Sequence, residues 1–151
     1  MANVDVVRIK QYAENVALIA ANPGADPFIK IIDMVVADGS GIAVDRSGNV
    51  FIADKGRHCI WKIKEGLAPY VFAGANGTSG DATGVAGTAR FNAPADLAID
   101  ASGNLFVYDS GNKKIKKIAD SGAVSVISTL TTGKLSSLTV AANGVIYAAV
   151  K

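Results

Sequence analysis

The feature of this sequence that most constrains its fold is an internal repeat. Residues 47–54, SGNVFIAD, are matched by residues 102–109, SGNLFVYD, and the match runs without a gap from 42–63 onto 97–118. A third, shorter copy begins at Leu138. A repeat of this length indicates an architecture in which each unit buries its apolar faces against its neighbours.

Each copy is predicted to be a strand, a glycine-containing turn and a second strand, followed by two further strands. In the first copy Ile42 and Val44 alternate with Ala43, so both faces of the strand are apolar and a sheet buried on both sides is expected. Four-stranded units of about 40 to 55 residues that are covered on both faces are what a β-propeller blade requires. We therefore predict an all-β fold, a β-propeller.

The same pattern predicts how the chain is divided. Residues 6–21 align with the last two strands of a blade, whereas the third copy supplies only the first two. This makes three four-stranded blades per chain, and propellers close with about four to eight. We expect a homodimer that forms a six-bladed ring, with strand exchange at the blade edge and two hybrid closing blades. A fragment of a longer propeller is the alternative.

The chain is predicted to be a single half-propeller domain, 1–151. Its parts are 1–39 (third and fourth strands of the closing blade plus a linker), 40–74 (blade), 75–94 (inter-blade loop), 95–128 (blade) and 135–151 (first and second strands of the closing blade).

Composition excludes little beyond this. A formal net charge of +2 does not by itself indicate nucleic acid or an anionic membrane as a partner. Arg8, Lys10 and Glu14 interrupt the apolar N-terminus, so no signal peptide is predicted, and no apolar run is long enough to span a membrane. The location is left unknown, with the cytoplasm as the default. Cys59 is the single cysteine and is expected to be a small buried side chain.

The repeat resembles that of the NHL family. The resemblance is carried mainly by residues 87–118, GTARFNAPADLAIDASGNLFVYDSGNKKIKKI, and by His58 before Ile60. Arg57 departs from the pattern, which has Asn there. The family consists mostly of binding and scaffolding domains, with a few enzymes among it and its six-bladed relatives, so the resemblance implies no single activity. We expect no cofactor.

Three motifs could carry chemistry but have simpler readings. The glycine-rich tract 74–87 lacks the Gly-Lys-Ser/Thr of a phosphate-binding loop, so a mobile surface loop is expected. The Asp45 and Asp100 turns lack the ligand spacing of a calcium loop. His58 is the only histidine, which disfavours a histidine-based zinc site; it could serve as a general base near Asp54, but a surface turn residue is favoured.

A lysine stripe raises the question of RNA binding. It is formed by basic residues at matching positions of two predicted blades, namely Arg57, Lys62, Lys64, Lys113, Lys114, Lys116 and Lys117. Some NHL-type domains bind RNA through such a surface. Solvated lysines on outer strands are favoured instead, so nucleic acid is an unlikely partner.

The expected ligand site is the mouth of the central channel, where loops of a propeller converge. The candidate ligand or partner residues there are Arg57, His58, Arg90, Asn92, Asp96, Asn112 and Lys113. Arg57 and Arg90 are favoured for anions because of their rigid donor fork. We predict a non-enzymatic binding or assembly module, whose partner is itself and an unknown protein or small ligand. The alternatives are an RNA-binding propeller and a calcium-dependent, lactonase-like hydrolase using Asn92 and Asp96.

Overall fold

A computed structural model describes the backbone of residues 5–12, 15–21, 30–34 and 36–151, and the side chains from residue 36 onward. The chain comprises two compact units. One is Met1–Val35 with Ile63–Tyr70, and the other is Val36–Lys62 with Val71–Lys151. No described helix is long and apolar enough to cross a membrane.

The described part of the first unit contains three strands, β1 (Asp5–Tyr12), β2 (Asn15–Ala21) and β3 (Lys30–Met34). β1 pairs antiparallel with β2 and parallel with β3. Two of these strands were expected; β3 lies in a segment that was expected to be a linker and that is partly outside the described residues. Its β-branched Ile31 and Ile32 favour an extended chain. In the structure β3 pairs with the edge of β1 that the predicted closing blade gives to the partner's hairpin, so the assignment of β1 and β2 to a shared blade stays a prediction in which β3 would have to leave that edge.

Three antiparallel sheets follow, in the order of the repeats. The first sheet has the order β4 (Gly39–Val44), β5 (Val50–Asp54), β6 (Cys59–Ile63), β7 (Tyr70–Gly74). The second sheet has the order β9 (Pro94–Ile99), β10 (Leu105–Asp109), β11 (Lys114–Ile118), β12 (Ala123–Thr129), and β8 (Gly84–Val85) is added outside β12. The third sheet is the hairpin of β13 (Leu135–Val140) and β14 (Ile146–Val150).

The repeat is preserved as strand register. Ile42 pairs with Ile52, and their counterparts Leu97 and Val107 pair in the second sheet. The turn between these strands is also the same in both copies: Gly48 and Gly103 have positive φ values of 81° and 85°, which glycine adopts without steric cost. The predicted hairpins are therefore confirmed in position and register.

Two apolar clusters join the three sheets. The cluster between the first and second sheets includes Phe51, Ile60 and Phe91, which are almost fully buried. The cluster between the second sheet and the hairpin includes Phe106 and Leu138. Each sheet thus packs face to face with the next, which is the arrangement of an all-β, propeller-like fold.

The first strands of successive sheets lie closest together. The Ser40 hydroxyl donates a hydrogen bond to the Pro94 carbonyl oxygen at 3.1 Å. Gly41 lies so near β9 that a Cβ there would come within 2.8 Å of the Asp96 Cα and the Leu97 nitrogen. The outer strand β12 is mostly exposed. The sheets therefore approach most closely along one edge.

Two expectations need correction. Both faces of β4 were expected to be buried, but Ile42 is 60% exposed and Val44 53%, because only the face of Ala43 packs into the first cluster. The glycine-rich tract was expected to be a mobile loop. It is instead held by hydrogen bonds, among them Gly77 N–H to the Arg57 carbonyl oxygen at 2.8 Å, and it contributes β8.

Candidate functional site

A buried aspartate closes the second strand of each full sheet and organises the loops beyond it. Asp54 ends β5 and is fully buried. Its carboxylate accepts hydrogen bonds from the backbone N–H groups of Ala37, Asp38 and Arg57 at 3.1 to 3.2 Å and from the indole N–H of Trp61 at 3.2 Å. This carboxylate is therefore a structural anchor with four donors.

Asp109 has the equivalent role at the end of β10. It is also fully buried, and it accepts hydrogen bonds from Asn92 N–H at 2.6 Å and from the Asn112 side-chain amide at 2.7 Å. Its Oδ2 also lies 2.7 Å from the Lys116 ammonium nitrogen. The two copies thus satisfy the same buried carboxylate differently, with the neutral indole of Trp61 in one and a cation in the other.

Lys116 is a fully buried ammonium group. Besides Asp109, it contacts Asp81 Oδ1 at 2.9 Å, donates to the Arg90 carbonyl oxygen at 2.9 Å, and lies 5.1 Å from the centroid of the Phe91 ring. A charge removed from water is tolerated only with such a set of partners. Lys116 therefore connects β11 to the inter-sheet loop.

This burial corrects the predicted lysine stripe. The expected solvated lysines of the outer strands do not form one surface, because Lys116 is inside the fold and Lys114 pairs with Asp81. Lys62 lies over the Phe51 and Phe72 rings, at 5.2 and 5.1 Å from their centroids. The hydrogen bond from Lys114, followed by that from Lys116, holds the pKa of Asp81 below its ordinary value.

The loops bring several of the predicted site residues together. His58 has a positive φ of 61°, and its Nδ1 accepts a hydrogen bond from Ala93 N–H at 3.0 Å. The Arg90 guanidinium donates to the carbonyl oxygens of Gly87 and Ala89, so its fork holds the inter-sheet loop. The His58 imidazole and the Arg90 guanidinium, which were expected to bind a ligand, therefore form hydrogen bonds within the fold.

Asn92 and Asn112, two further predicted site residues, also form hydrogen bonds within the fold. The carbonyl oxygen of Asn92 accepts Gly111 N–H at 2.7 Å, and the Asn112 amide donates to the Gly80 carbonyl oxygen at 2.8 Å. Asp96 lies apart from this group. Its carboxylate accepts Leu138 N–H at 2.7 Å and so connects the second sheet to the hairpin.

No group of three or more potential metal ligands occurs among the described side chains. The Asp45 and Asp100 carboxylates cap their own turns: each accepts the backbone N–H groups two and four residues on, at 2.9 Å. Partial burial raises the pKa of each carboxyl, but hydrogen bonds from Asn49 and Ser47, or from Asn104 and Ser102, outweigh it and lower the pKa. The turn reading of these motifs agrees with the structure.

Lys113 is the one predicted residue that lines a cavity found at this end of the sheets. The cavity, which we name the lysine cleft, has a volume of about 270 Å³. Its lining residues are Lys55, Ala95, Tyr108, Ser110, Lys113, Lys134 and Leu135. They come from the β5–β6 turn, the second sheet, the 3₁₀ turn at Ser110–Asn112 and the start of the hairpin. Lys55 and Lys134 were missed because Lys55 lies at a repeat position where the second copy has Ser110, and Lys134 lies outside the repeat.

Comparisons with known proteins agree with the fold. The family model for the NHL repeat matches residues 40–63. A search of curated proteins finds no significant match. Solved structures of low sequence identity match most of the chain, and this chain spans less than half of each of the three described next.

An auxiliary nutrient binding protein from Bacteroides thetaiotaomicron is 17% identical with a TM-score of 0.58, over 68% of this chain and 32% of that one. Virginiamycin B lyase from Staphylococcus aureus is 20% identical with a TM-score of 0.56, over 74% and 34%. A structural genomics protein of unknown function from B. thetaiotaomicron is 14% identical with a TM-score of 0.62, over 98% and 44%. Residues 40–63 therefore match the NHL repeat, and the chain has a β-propeller-like fold that it shares with these structures.

Proposed function

We propose that this protein is a non-enzymatic binding and assembly module, an NHL-like propeller in which two chains form one six-bladed ring. The observation that carries the proposal is the stacking of three sheets that approach closely along one edge, with an apolar sheet face left exposed. Stacked sheets of this kind leave no free face only when they close into a ring, and six lies within the usual number of blades.

The exposed face of β4 supports the assembly. Ile42 and Val44 are 60% and 53% exposed, and the opposite face of the same strand packs on the second sheet. The hairpin exposes Tyr147, which is 58% exposed, while its other face packs on the second sheet through Leu138. In the proposed ring, the hairpin of one protomer lies against the β4 face of its partner, which continues the stacking seen within one chain.

A binding role is favoured over catalysis by what the polar groups do. The carboxylates of Asp54, Asp96 and Asp109 accept backbone or side-chain donors, and the imidazole of His58 accepts Ala93 N–H. These contacts build the fold and do not pair a nucleophile with a base. Among the similar structures are nutrient binding proteins and lyases, so the fold alone does not decide the activity.

The assembly is tested by sedimentation equilibrium of an Ile42→Glu/Val44→Glu variant. Because both side chains are exposed in one chain, the variant should fold, and its circular dichroism should equal that of the wild type. We expect a wild-type dimer and a variant monomer, since two buried carboxylates at the interface would lack partners. Val85→Glu is the matched control, because Val85 is 65% exposed on β8. A double variant that stays dimeric would contradict the proposed interface.

A further inference from the structure

The lysine cleft collects positive charge from three separate connections of the chain. Lys55 follows β5, Lys113 follows the 3₁₀ turn and Lys134 precedes β13. A main-chain hydrogen bond fixes the backbone of each residue. Lys55 N–H donates to the Asp38 carbonyl oxygen at 2.8 Å, and Lys113 N–H donates to the Ser110 carbonyl oxygen at 3.2 Å. The Lys134 carbonyl oxygen accepts Lys151 N–H at 2.8 Å. The backbone therefore places three lysine residues in the lining of one cavity.

This charge is not balanced within the part of the chain that the structure describes. The ammonium groups of Lys55, Lys113 and Lys134 have no hydrogen bond or ion pair there, in contrast to Lys114 and Lys116, which pair with acidic side chains. The carboxylates that end β5 and β10 are buried and already have three or four donors each. Three like charges around one cavity repel one another, and a bound anion would remove that repulsion.

The other lining residues describe the rest of the ligand. The Ser110 hydroxyl donates to the Ala93 carbonyl oxygen, whereas the Tyr108 hydroxyl accepts Leu135 N–H and keeps its own proton to donate. Ala95, Leu135 and the ring of Tyr108 present carbon atoms. A cavity of about 270 Å³ has the volume of roughly nine water molecules at about 30 Å³ each. The cleft thus suits a small molecule with a carbon skeleton and several negative charges.

We propose that the lysine cleft binds a small organic polyanion, with its carboxylate or phosphate groups on the three ammonium ions and its skeleton on the apolar floor. Ammonium ions are point charges that accept either kind of oxyanion, whereas planar bidentate recognition would require arginine. This inference rests on the proposed binding function and adds the chemical class of the ligand.

The test is isothermal titration of the full chain with citrate, as a probe for carboxylates, and with pyrophosphate, as a probe for phosphates. Triethyl citrate keeps the citrate skeleton without its charge and is the negative control. We expect citrate or pyrophosphate to bind, with an affinity that falls as ionic strength rises. The tighter of the two identifies the preferred oxyanion. Failure of both probes to bind, or equal binding of triethyl citrate, would overturn the proposal.

Lysine variants locate the binding. Lys55→Gln, Lys113→Gln and Lys134→Gln should each weaken binding about two- to fivefold, as expected for exposed ion pairs, and the triple variant should abolish it. Lys117→Gln, on β11 and outside the cleft, is the matched control and should bind like the wild type. Equal weakening by the control would contradict a site at the cleft.

The mass of each sample is measured by light scattering at the same time. A dimer that binds neither anion would overturn the ligand class and leave the ring intact. A monomer that binds citrate through the three lysines would overturn the ring and support the cleft.

Discussion

The buried Lys116–Asp109 pair gives the most quantitative prediction of the structure. Lys116 has three oxygen partners within 2.9 Å and no exposed surface, and Asp109 is likewise fully buried. Lys116→Met gives an unbranched apolar side chain that is one atom shorter, and it removes the ammonium group together with its contact with the Phe91 ring. Asp109 is then a buried carboxylate with only the Asn92 and Asn112 donors, and breaking such a pair costs about 3–5 kcal/mol.

The assay is urea unfolding at one fixed protein concentration, because the stability of a dimer depends on concentration. Lys117→Met makes the same chemical change one residue away on β11, at a half-buried side chain, and should change the free energy of unfolding by less than about 0.5 kcal/mol.

A double-mutant cycle then isolates the pair. Asp109→Asn together with Lys116→Met removes both charges, so the double variant should be more stable than Lys116→Met alone. Additive losses in the cycle, or equal losses for Lys116→Met and Lys117→Met, would refute the claim that this pair is buried and coupled.

Three further predictions use other parts of the structure. Gly41→Ala should destabilise the fold by about 1–3 kcal/mol, because the new Cβ would lie 2.8 Å from the Asp96 Cα. Gly87→Ala should not destabilise the fold, because the space around Gly87 is open. Thermal unfolding of the two variants compares these effects. Burial raises the pKa of Cys59 to about 12, so the thiol should resist alkylation at pH 8 in the native protein and react fully in denaturant; rapid native reaction would contradict its burial. The folded-state pKa of Asp100 is lowered, so its stabilisation is present above the unfolded pKa of about 3.9 and is lost as the pH falls through the folded value. The stability difference between wild type and Asp100→Asn should therefore shrink under acid, and a difference that is constant with pH would contradict this.

The strands could be predicted from the sequence because they depend on local pattern. The repeat predicts strands at 41–45, 50–53, 96–100 and 105–108, and β4, β5, β9 and β10 lie within two residues of these bounds. The Ile42–Ile52 and Leu97–Val107 pairs occupy equivalent positions of the two copies. Alternation of apolar residues and turn chemistry are both properties of neighbouring residues, so one sequence suffices to read them.

The buried polar network could not be predicted in the same way. Lys116 lies in a lysine-rich strand and was read as solvated, because its partners Asp81 and Arg90 come from a distant loop. One signal was available: the position equivalent to Lys116 in the first copy is Trp61, and a tryptophan there indicates that the position is buried. The lysine cleft combines the equivalent β5–β6 and β10–β11 connections with the segment before β13, which lies outside the repeat, so only the fold brings its residues together.

The central claim, that stacked sheets of two chains form one ring, is tested most directly by the solution mass of the wild-type protein. Light scattering after size exclusion, over a wide dilution series, measures it without a variant. For the proposed ring we expect a dimer of twice 15.4 kDa that persists on dilution. A folded monomer of 15.4 kDa at all concentrations would contradict it.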